Sequence, residues 1–235
     1  MGARVGGALA RRPGPRWLRA LASGSLWGHA VVRNRFCGLE LLVGSQTFLP
    51  RAESERLVEA TVERVRGSRP LLVEVGTGCG AVALALAHRL AGGRVCGIEL
   101  EEEPFRWART NARRLRLGEV SLIRGSLLDP LPPGLRGRVD AVVANVPCVP
   151  ESTFEAAADA PAVAYVGSGA DGLGLHRRLA AQALRVLKPG GHLLLQLAPG
   201  QWTLLATDLL LLGYAVEEAR GDDVVVIGVA RSPCA

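Results

Sequence analysis

The sequence LLVEVGTGCG, from Leu71 to Gly80, decides the fold of this chain. Its first five residues are mostly apolar, which is typical of a buried strand, and the alanine-rich segment from Ala81 to Leu90 that follows has helical character. The alternating glycines between them permit a positive φ and let a ligand approach main-chain N–H groups that a Cβ would shield. The stretch therefore predicts a first strand, a tight turn, and a first helix that offers its N-terminal N–H groups to a ligand.

The spacing of the glycines and the acid before them indicate the kind of ligand. A dinucleotide fingerprint has the pattern G-x-G-x-x-G, in which the third glycine stands one residue later than Gly80 does. The carboxylate of Glu74 would repel a pyrophosphate, whereas it can hold an ammonium group. The turn that contains Gly76, Thr77 and Gly78 therefore favours S-adenosylmethionine, which carries an amino acid and no phosphate. A glycine turn without a ligand is the alternative.

Two further strand ends complete the predicted cofactor site. The segment from Arg94 to Glu99 reads as a second buried strand that ends in an acid, about 20 residues past the glycines, where a carboxylate can accept hydrogen bonds from both ribose hydroxyls. The alternative is that Glu99 only begins a solvated acidic run. A third strand, from Glu119 to Ile123, leads to Ser126 and Leu127, where we expect an adenine amino group to be met.

A fourth strand, Asp140 to Ala144, runs into an asparagine followed by Val-Pro. At the crevice beside the switch point of such a sheet, the side-chain oxygen of Asn145 and the main-chain carbonyl of Val146 can accept the two hydrogens of a planar NH₂ group. Pro147 confines the preceding residue to extended geometry, which fixes the direction of that carbonyl. An ordinary Asx-type loop exit is the alternative.

These segments define two predicted sets of site residues. The set expected to orient and activate the acceptor is Asn145, Val146 and Pro147. The set expected to bind the cofactor is Glu74, Gly76, Thr77, Gly78, Gly80, Glu99, Leu100, Ser126, Leu127 and Asn145.

The remaining pattern predicts an α/β fold, a doubly wound sheet of seven mostly parallel strands. Ahead of the sheet we expect two short strands between Val31 and Val43, with a turn at Asn34 and Gly38. A helix from about Glu53 to Arg66 follows, capped by Ser54 or its acidic neighbours. Further on, Lys188-Pro189-Gly190-Gly191 is expected to end a helix that starts at His176, and His192 to Leu197 to form the fifth strand. We expect residues 1–35 to be a basic extension, with a short helix around Trp17 to Leu21, and residues 36–235 to be the domain.

Composition limits the partners. The chain of 235 residues has 28 lysines and arginines against 22 acids, a net charge of +6, yet the arginines are scattered without an aromatic-interleaved stripe, so we do not expect nucleic acid as a partner. The five cysteines form no C-x-x-C pair and no histidine stands at metal spacing, which predicts reduced thiols and no metal site. No apolar run reaches about 18 residues, so we expect no membrane span. A cytoplasmic monomer is the resulting expectation.

Several motifs in order resemble those of the class I S-adenosylmethionine-dependent methyltransferases, a Rossmann-like family. The segment from Leu49 to Glu55 is similar, more narrowly, to the P-R-P-E-T-E segment of the HemK-type protein-glutamine methyltransferases, as is Asp171-Gly172-Leu173. The resemblance implies a 3-2-1-4-5-7-6 strand order with the last strand antiparallel. It also implies methylation of a side-chain amide nitrogen, as in peptide release factors. The segments that carry the wider likeness are Glu74 to Gly80, Glu99, Asp140 to Cys148, and Lys188 to Gly191.

The chain also departs from that family. The N-P-P-Y motif reads Asn145-Val146-Pro147-Cys148 here, so the aromatic ring that would stack on a planar target is absent, and Ser126 stands where an acid is usual. We expect only a short basic segment where the family has a helical domain that grips the substrate, and we therefore expect release factors to be poor substrates. The acceptor is therefore left open between a protein glutamine and a small-molecule amine or amide made in biosynthesis. A non-catalytic cofactor-binding scaffold is the alternative from another class.

Overall fold

The computed structural model describes residues 31–44, 46–65, 67–154, 162–198, 200–217 and 224–230. The short helix predicted around Trp17 and most of the predicted basic extension lie outside these residues. The described strands are β1 (Val32–Phe36), β2 (Leu39–Val43), β3 (Leu71–Val75), β4 (Arg94–Glu99), β5 (Val120–Arg124), β6 (Val139–Ala144), β7 (Leu187–Leu197), β8 (Tyr214–Glu217) and β9 (Val224–Ala230). The described α-helices are α1 (Glu53–Arg64), α2 (Ala81–Arg89), α3 (Glu102–Leu115), α4 (Gly174–Ala183) and α5 (Trp202–Leu211).

Seven strands form one sheet in the order β5-β4-β3-β6-β7-β9-β8. The first five of these pair in parallel, whereas β9 is antiparallel to both β7 and β8. Counted from β3 as the first strand, the order is 3-2-1-4-5-7-6. The predicted α/β fold class and strand order are confirmed, and the reversal of order falls between β3 and β6, where such sheets bind ligands.

The two faces of the sheet bury different side chains because successive residues of a strand point to opposite sides. Val73 and Val142 belong to one core together with Leu179 of α4 and Leu205 of α5. Leu72, Ala141 and Val143 belong to a second core with α1 and α2. Helices therefore cover both faces, as the predicted doubly wound fold requires, and among the described residues no helix combines the length and apolar character needed to cross a bilayer.

The hairpin β1–β2 differs from its prediction. The turn lies at Cys37 and Gly38, with φ values of 47° and 80°, and Asn34 is a strand residue paired with Leu41. Positive φ at both central residues is the geometry of the type I′ turn that suits the twist of a two-stranded ribbon. Asn34 is held instead by its side chain, whose Nδ2 donates to the carbonyl of Pro50. The predicted domain boundary at residue 36 falls inside this hairpin.

Asn111 of α3 joins the hairpin to the glycine turn. Its Nδ2 donates to the carbonyls of Leu42 at 2.8 Å and Cys79 at 2.9 Å, and its Oδ1 accepts from the Leu42 N–H at 2.8 Å. All three of these hydrogen bonds are made by a fully buried side chain. The hairpin is thereby held against the carboxyl edge of the sheet, where Phe36 lines the site.

One predicted helix end and one predicted helix cap were wrong. Lys188-Pro189-Gly190-Gly191 does not end a helix but lies within β7, because Val139 pairs with Leu187 and Ala141 pairs with His192, so the extra residues form an irregularity in the ladder. Lys188 is held there by an ion pair with Asp140. Helix α1 starts after Ala52, which makes no side-chain cap, and ends at Arg64. Ser54 does not cap the helix; it lies buried in the first turn and faces the site.

Candidate active site

A cavity of about 340 Å³ opens at the carboxyl ends of β3, β4 and β6. Ligand pockets of proteins commonly measure roughly 300 to 1,000 Å³, so this one is large enough for part of a ligand of cofactor size. Four predicted residues do not line it: Gly80, Leu100, Ser126 and Leu127. The predicted residues that do line it are Glu74, Gly76, Thr77, Gly78, Glu99, Asn145, Val146 and Pro147.

The glycine turn forms the floor of the cavity. Gly76 and Gly78 have φ values of 74° and 55°, which side-chain-bearing residues rarely adopt. A Cβ on Gly76 would stand 3.0 Å from Cγ1 of Val146, so this glycine also permits the close approach of the two loops. Gly80 has a different role: it precedes α2 with φ 91°, and a Cβ there would press on the side chain of Leu84.

Glu99 fastens the same turn from the neighbouring strand. Its Oε2 accepts from the Gly78 N–H at 2.7 Å, and its Oε1 accepts from the N–H groups of Leu100 at 2.8 Å and Glu101 at 2.9 Å. A carboxylate has about four acceptor positions, so room for roughly one further donor remains rather than the two hydroxyls expected from the sequence. Burial raises the pKa of Glu99, and the three N–H groups oppose that rise by stabilising the charged form.

Glu74 is buried in the same cavity with an unsatisfied oxygen. Its Oε2 and the Oγ1 of Thr77 have no hydrogen-bond partner among the described residues. Burial raises the pKa of Glu74 to about 8; the nearby Thr77 hydroxyl, although outside normal hydrogen-bond geometry, opposes the rise, and the charge of Glu99 adds to it. A buried carboxylate without a partner is costly. The pair therefore presents acceptors that a cationic, hydrogen-donating group of a ligand would satisfy.

We expect Glu74→Gln to stabilise the unliganded protein at alkaline pH relative to the parent. The folded parent keeps this carboxyl protonated up to about pH 8, whereas the unfolded chain ionises near pH 4.5. Its contribution to stability is therefore complete below pH 4.5 and is lost as the pH rises to 8. Thermal unfolding at pH 5 and pH 8 should show the variant's Tm advantage growing by more than about 5 °C between them.

The difference between variant and parent is the quantity to compare, because buried His176 acts in the opposite sense. Burial lowers the pKa of His176 to about 4, so its contribution is lost as the pH falls from 6.5 to 4 in both proteins. Glu63→Gln, at a carboxyl whose side chain is 74% exposed, is the matched control and should leave the difference flat. A Glu74→Gln difference that does not change with pH would contradict the assignment of a buried neutral acid.

Asn145 stands at the other end of the cavity with its amide fixed. Its Nδ2 donates to Oγ of Ser54 at 3.0 Å, and no described residue donates a hydrogen bond to its Oδ1. Ser54 is itself 4% exposed and belongs to α1, so a rigid element sets the orientation of the amide. The side-chain oxygen therefore remains as an oriented acceptor that faces a ligand-sized space.

The side chain of Gln201 anchors the loop that follows Asn145. Nε2 of Gln201 donates to the carbonyls of Cys148 at 2.6 Å and Asp171 at 2.8 Å. A Cβ on Gly172, whose φ is 76°, would collide with the Cys148 carbonyl. Burial also raises the pKa of the Cys148 thiol, which keeps it neutral and weakly nucleophilic. The loop is thus a fixed part of the cavity wall and not a source of an attacking thiolate.

The sequence motifs did not predict a cluster of side chains at the end of the cavity that contains Asn145, which we call the acceptor end. Phe48, Arg51 and Tyr165 all line the cavity. Arg51 belongs to the segment from Leu49 to Glu55, whose similarity to the P-R-P-E-T-E segment pointed to this region. The sequence predicts no role for the Arg51 side chain. Tyr165 stands in a stretch of small and apolar residues that carries no motif, and only the fold brings it to Asn145.

Residues 71–207 match the family model described as a methyltransferase domain. A release factor glutamine methyltransferase of Moorella thermoacetica is 34% identical over 216 residues, which are 89% of this chain and 72% of the relative. That of Vibrio cholerae is 32% identical over 219 residues, which are 88% of this chain and 74% of the relative. That of Streptomyces coelicolor is 38% identical over 180 residues, which are 74% of this chain but 63% of the relative. The chain spans 64% and 58% of the length of the corresponding proteins from Deinococcus radiodurans and Geobacter sulfurreducens.

Solved structures share the fold at low sequence identity. A ribosomal protein L11 methylase of Lactobacillus delbrueckii subsp. bulgaricus has a TM-score of 0.60 at 18% identity, with 81% of this chain and 84% of that chain covered. A 16S rRNA methyltransferase of T. thermophilus, solved in complex with AdoMet and guanosine, has a TM-score of 0.61 at 22% identity, with 86% of this chain and 50% of that chain covered. These similarities concern the architecture alone.

Proposed function

Because the chain belongs to the release factor glutamine methyltransferase family, we propose that it transfers the methyl group of S-adenosylmethionine to the side-chain amide nitrogen of a protein glutamine. The observation that carries the proposal is the fixed amide of Asn145, which shares one cavity with the acceptors of Glu74 and Glu99. The end of the cavity that contains Glu74 and Glu99 suits a ligand with an ammonium group and ribose hydroxyl groups. The other end suits a planar NH₂ group.

The residues of the cavity fit this cofactor. The unsatisfied Oε2 of Glu74 can accept from its ammonium group, and the remaining acceptor position of Glu99 can accept from a ribose hydroxyl. The glycine turn leaves open space where a Cβ on Gly78 would point. When bound, the cofactor supplies an electrophilic methyl group on a sulfonium. Because Glu74 is neutral near pH 7 without a ligand, holding the ammonium as an ion pair requires the release of a proton.

The work of the protein on the acceptor is orientation. An amide nitrogen has no free lone pair while it is conjugated with its carbonyl, so the direction of its N–H groups decides whether it can attack. Oδ1 of Asn145 would accept one of these hydrogens, and the carbonyl of Val146 is the expected acceptor for the other. Alignment of this kind can contribute roughly 7 to 11 kcal/mol of barrier reduction through effective molarity. No nucleophilic side chain is needed, in keeping with the neutral thiol of Cys148.

We further propose that the protein acts as a cytoplasmic monomer. It is proposed to have no nucleic-acid partner, since the arginines of the sequence form no continuous stripe. The proposed catalytic domain includes the hairpin from Val32 onward, because Phe36 lines the cavity and Asn111 ties the hairpin to the glycine turn.

We expect labelled methyl groups from S-adenosylmethionine to enter protein when the enzyme is incubated with cell extract, and to enter a purified release factor only slowly. The extract is then separated into protein, small-molecule and nucleic-acid fractions, and mass spectrometry locates the modified residue. The expected result is N-methylglutamine in the protein fraction, lost when Asn145→Ala replaces the parent. The release factor arm tests the slow recognition expected from the sequence, and its complete methylation within minutes would show that expectation to be wrong.

Other fractions decide between the alternatives. Label confined to a small molecule would contradict the protein-glutamine acceptor and favour a biosynthetic amine or amide. Cofactor binding without transfer to any fraction would contradict catalysis and leave a cofactor-binding scaffold.

A further inference from the structure

The acceptor end of the cavity contains an aromatic ring, that of Tyr165, which no sequence motif predicted. Position 148 is a cysteine, and a thiol offers no flat face to a planar group. Tyr165 lines the same cavity as Asn145, Pro147 and Cys148, and it reaches that wall from a different loop. The fold therefore places an aromatic side chain beside the position at which the HemK-type motif would have one.

The main chain around Tyr165 is fastened to the loop that follows Asn145. The Val149 N–H donates to the Tyr165 carbonyl at 2.9 Å, and the Gly167 N–H donates to the Val149 carbonyl at 2.9 Å. Val149 and Val166 thus form a parallel bridge. This pairing fixes the position of the Tyr165 main chain relative to the loop that follows Asn145.

The ring of Tyr165 also contacts two other rings and a guanidinium group. Its centroid lies 5.3 Å from that of Phe48 in an edge-to-face arrangement, and 5.9 Å from that of Phe154. Cζ of Arg51 lies 5.1 Å from the Phe48 ring centre and 5.7 Å from the Tyr165 ring centre. Nη2 of Arg51 donates to the Tyr165 hydroxyl at 2.9 Å. Edge-to-face pairs and cation–π contacts have preferred geometries, so Phe48 and Arg51 restrict the ring to one orientation.

Tyr165 and the chain's other tyrosine have different surroundings. The sequence has two tyrosines. Tyr214 is fully buried, and its hydroxyl donates to the Ala180 carbonyl within the hydrophobic core. Tyr165 is only half-buried and borders the cavity.

We propose that the ring of Tyr165, positioned by Phe48 and Arg51, forms the flat wall against which the acceptor group stacks, in place of an aromatic residue at position 148. The inference rests on the proposed methyltransferase function and specifies the acceptor of that site. A flat ring face is complementary to a planar group. The acceptor class that the wall suits is therefore a planar amide.

The test uses the full chain with substitutions that separate flatness from volume. We expect Tyr165→Leu to lower kcat/KM for the acceptor about tenfold, the scale of one lost aromatic stacking contact, while Tyr165→Phe stays within about threefold. Cys148→Tyr introduced into the Tyr165→Leu protein should recover at least about threefold, because a ring returns to the same wall. Phe154→Leu is the matched control: it removes a ring that touches Tyr165 but does not line the cavity, and should change kcat/KM less than about twofold.

Two further measurements keep the result specific. Calorimetry should show the dissociation constant of S-adenosylmethionine within about twofold in every variant, since the ring lies at the acceptor end. Tyr165→Met, which keeps a long unbranched side chain without a flat face, repeats the comparison with Tyr165→Phe if the leucine variant does not fold. Parent activity in Tyr165→Leu or Tyr165→Met, or a double variant no better than Tyr165→Leu, would overturn the inference.

Transfer is measured on whichever acceptor the parent labels, so this inference and the proposed function fail in different ways. Methylation of protein glutamine that ignores Tyr165 overturns the inference alone. Methylation of a neutral small-molecule amide that depends on Tyr165 overturns the protein acceptor alone. An aliphatic amine as the labelled compound, or no transfer to any fraction despite cofactor binding, overturns both.

Discussion

Replacing Asn145 by alanine is expected to slow methyl transfer by about a hundred- to a thousand-fold while leaving the dissociation constant of S-adenosylmethionine within about twofold. Loss of one oriented hydrogen bond at a transition state commonly costs about 2.7 to 4 kcal/mol, which corresponds to that range of rates. The cofactor is expected to contact the glycine turn and the acids of β3 and β4, so its affinity should depend little on this amide. Single-turnover kinetics with labelled cofactor and calorimetry measure the two quantities separately.

Two further variants distinguish orientation from mere presence of an acceptor. Asn145→Asp keeps the shape and an acceptor oxygen while adding charge, so part of the activity should remain. Ser54→Ala removes the oxygen that accepts from Nδ2 of Asn145, so the amide is free to rotate, and a smaller loss of up to about tenfold in turnover is expected. Transfer at the parent rate in Asn145→Ala would show that this asparagine is only a loop residue.

Local patterns in the sequence predicted several of the residues that line the cavity. Glu99 and Asn145 each end an apolar strand, and parallel strands bring their carboxyl ends to one edge, so strand identification alone placed both side chains in one crevice. Gly76 and Gly78 were recognisable because alternating glycines indicate positions that need a positive φ, and both residues have one. These inferences needed the order of the elements and nothing about distant contacts.

The features that the sequence did not predict depend on pairing between distant segments. Tyr165 reaches the site because Val149 and Val166 pair across a loop, and no local pattern encodes that pairing. The Lys188-Pro189-Gly190-Gly191 segment resembled a helix end, yet pairing of Leu187 with Val139 draws it into β7. Ser54 had the position of a helix cap, whereas its hydroxyl faces an asparagine 91 residues away in the chain.

Replacing Glu99 by alanine is expected to weaken binding of S-adenosylmethionine about 10- to 150-fold, the equivalent of roughly 1.5 to 3 kcal/mol for a hydrogen bond to a charged group. The alanine variant would lack the carboxylate contact with a ribose hydroxyl. The N–H groups of Gly78, Leu100 and Glu101 would also lose the acceptor that now fixes them. Part of the loss should therefore come from a less ordered glycine turn. Titration calorimetry of the parent and the variant measures it.

Two comparisons separate these contributions. Glu99→Gln keeps one acceptor oxygen but turns an NH₂ group toward backbone donors, so its affinity should lie between those of the parent and the alanine variant. Glu102→Ala, three residues along the chain at a side chain that is 57% exposed, should bind the cofactor within about twofold of the parent. Since an acid beside the turn disfavours a pyrophosphate, NAD should not compete. An unchanged affinity in Glu99→Ala, or NAD binding as tight as that of S-adenosylmethionine, would refute the assignment of this carboxylate to the cofactor.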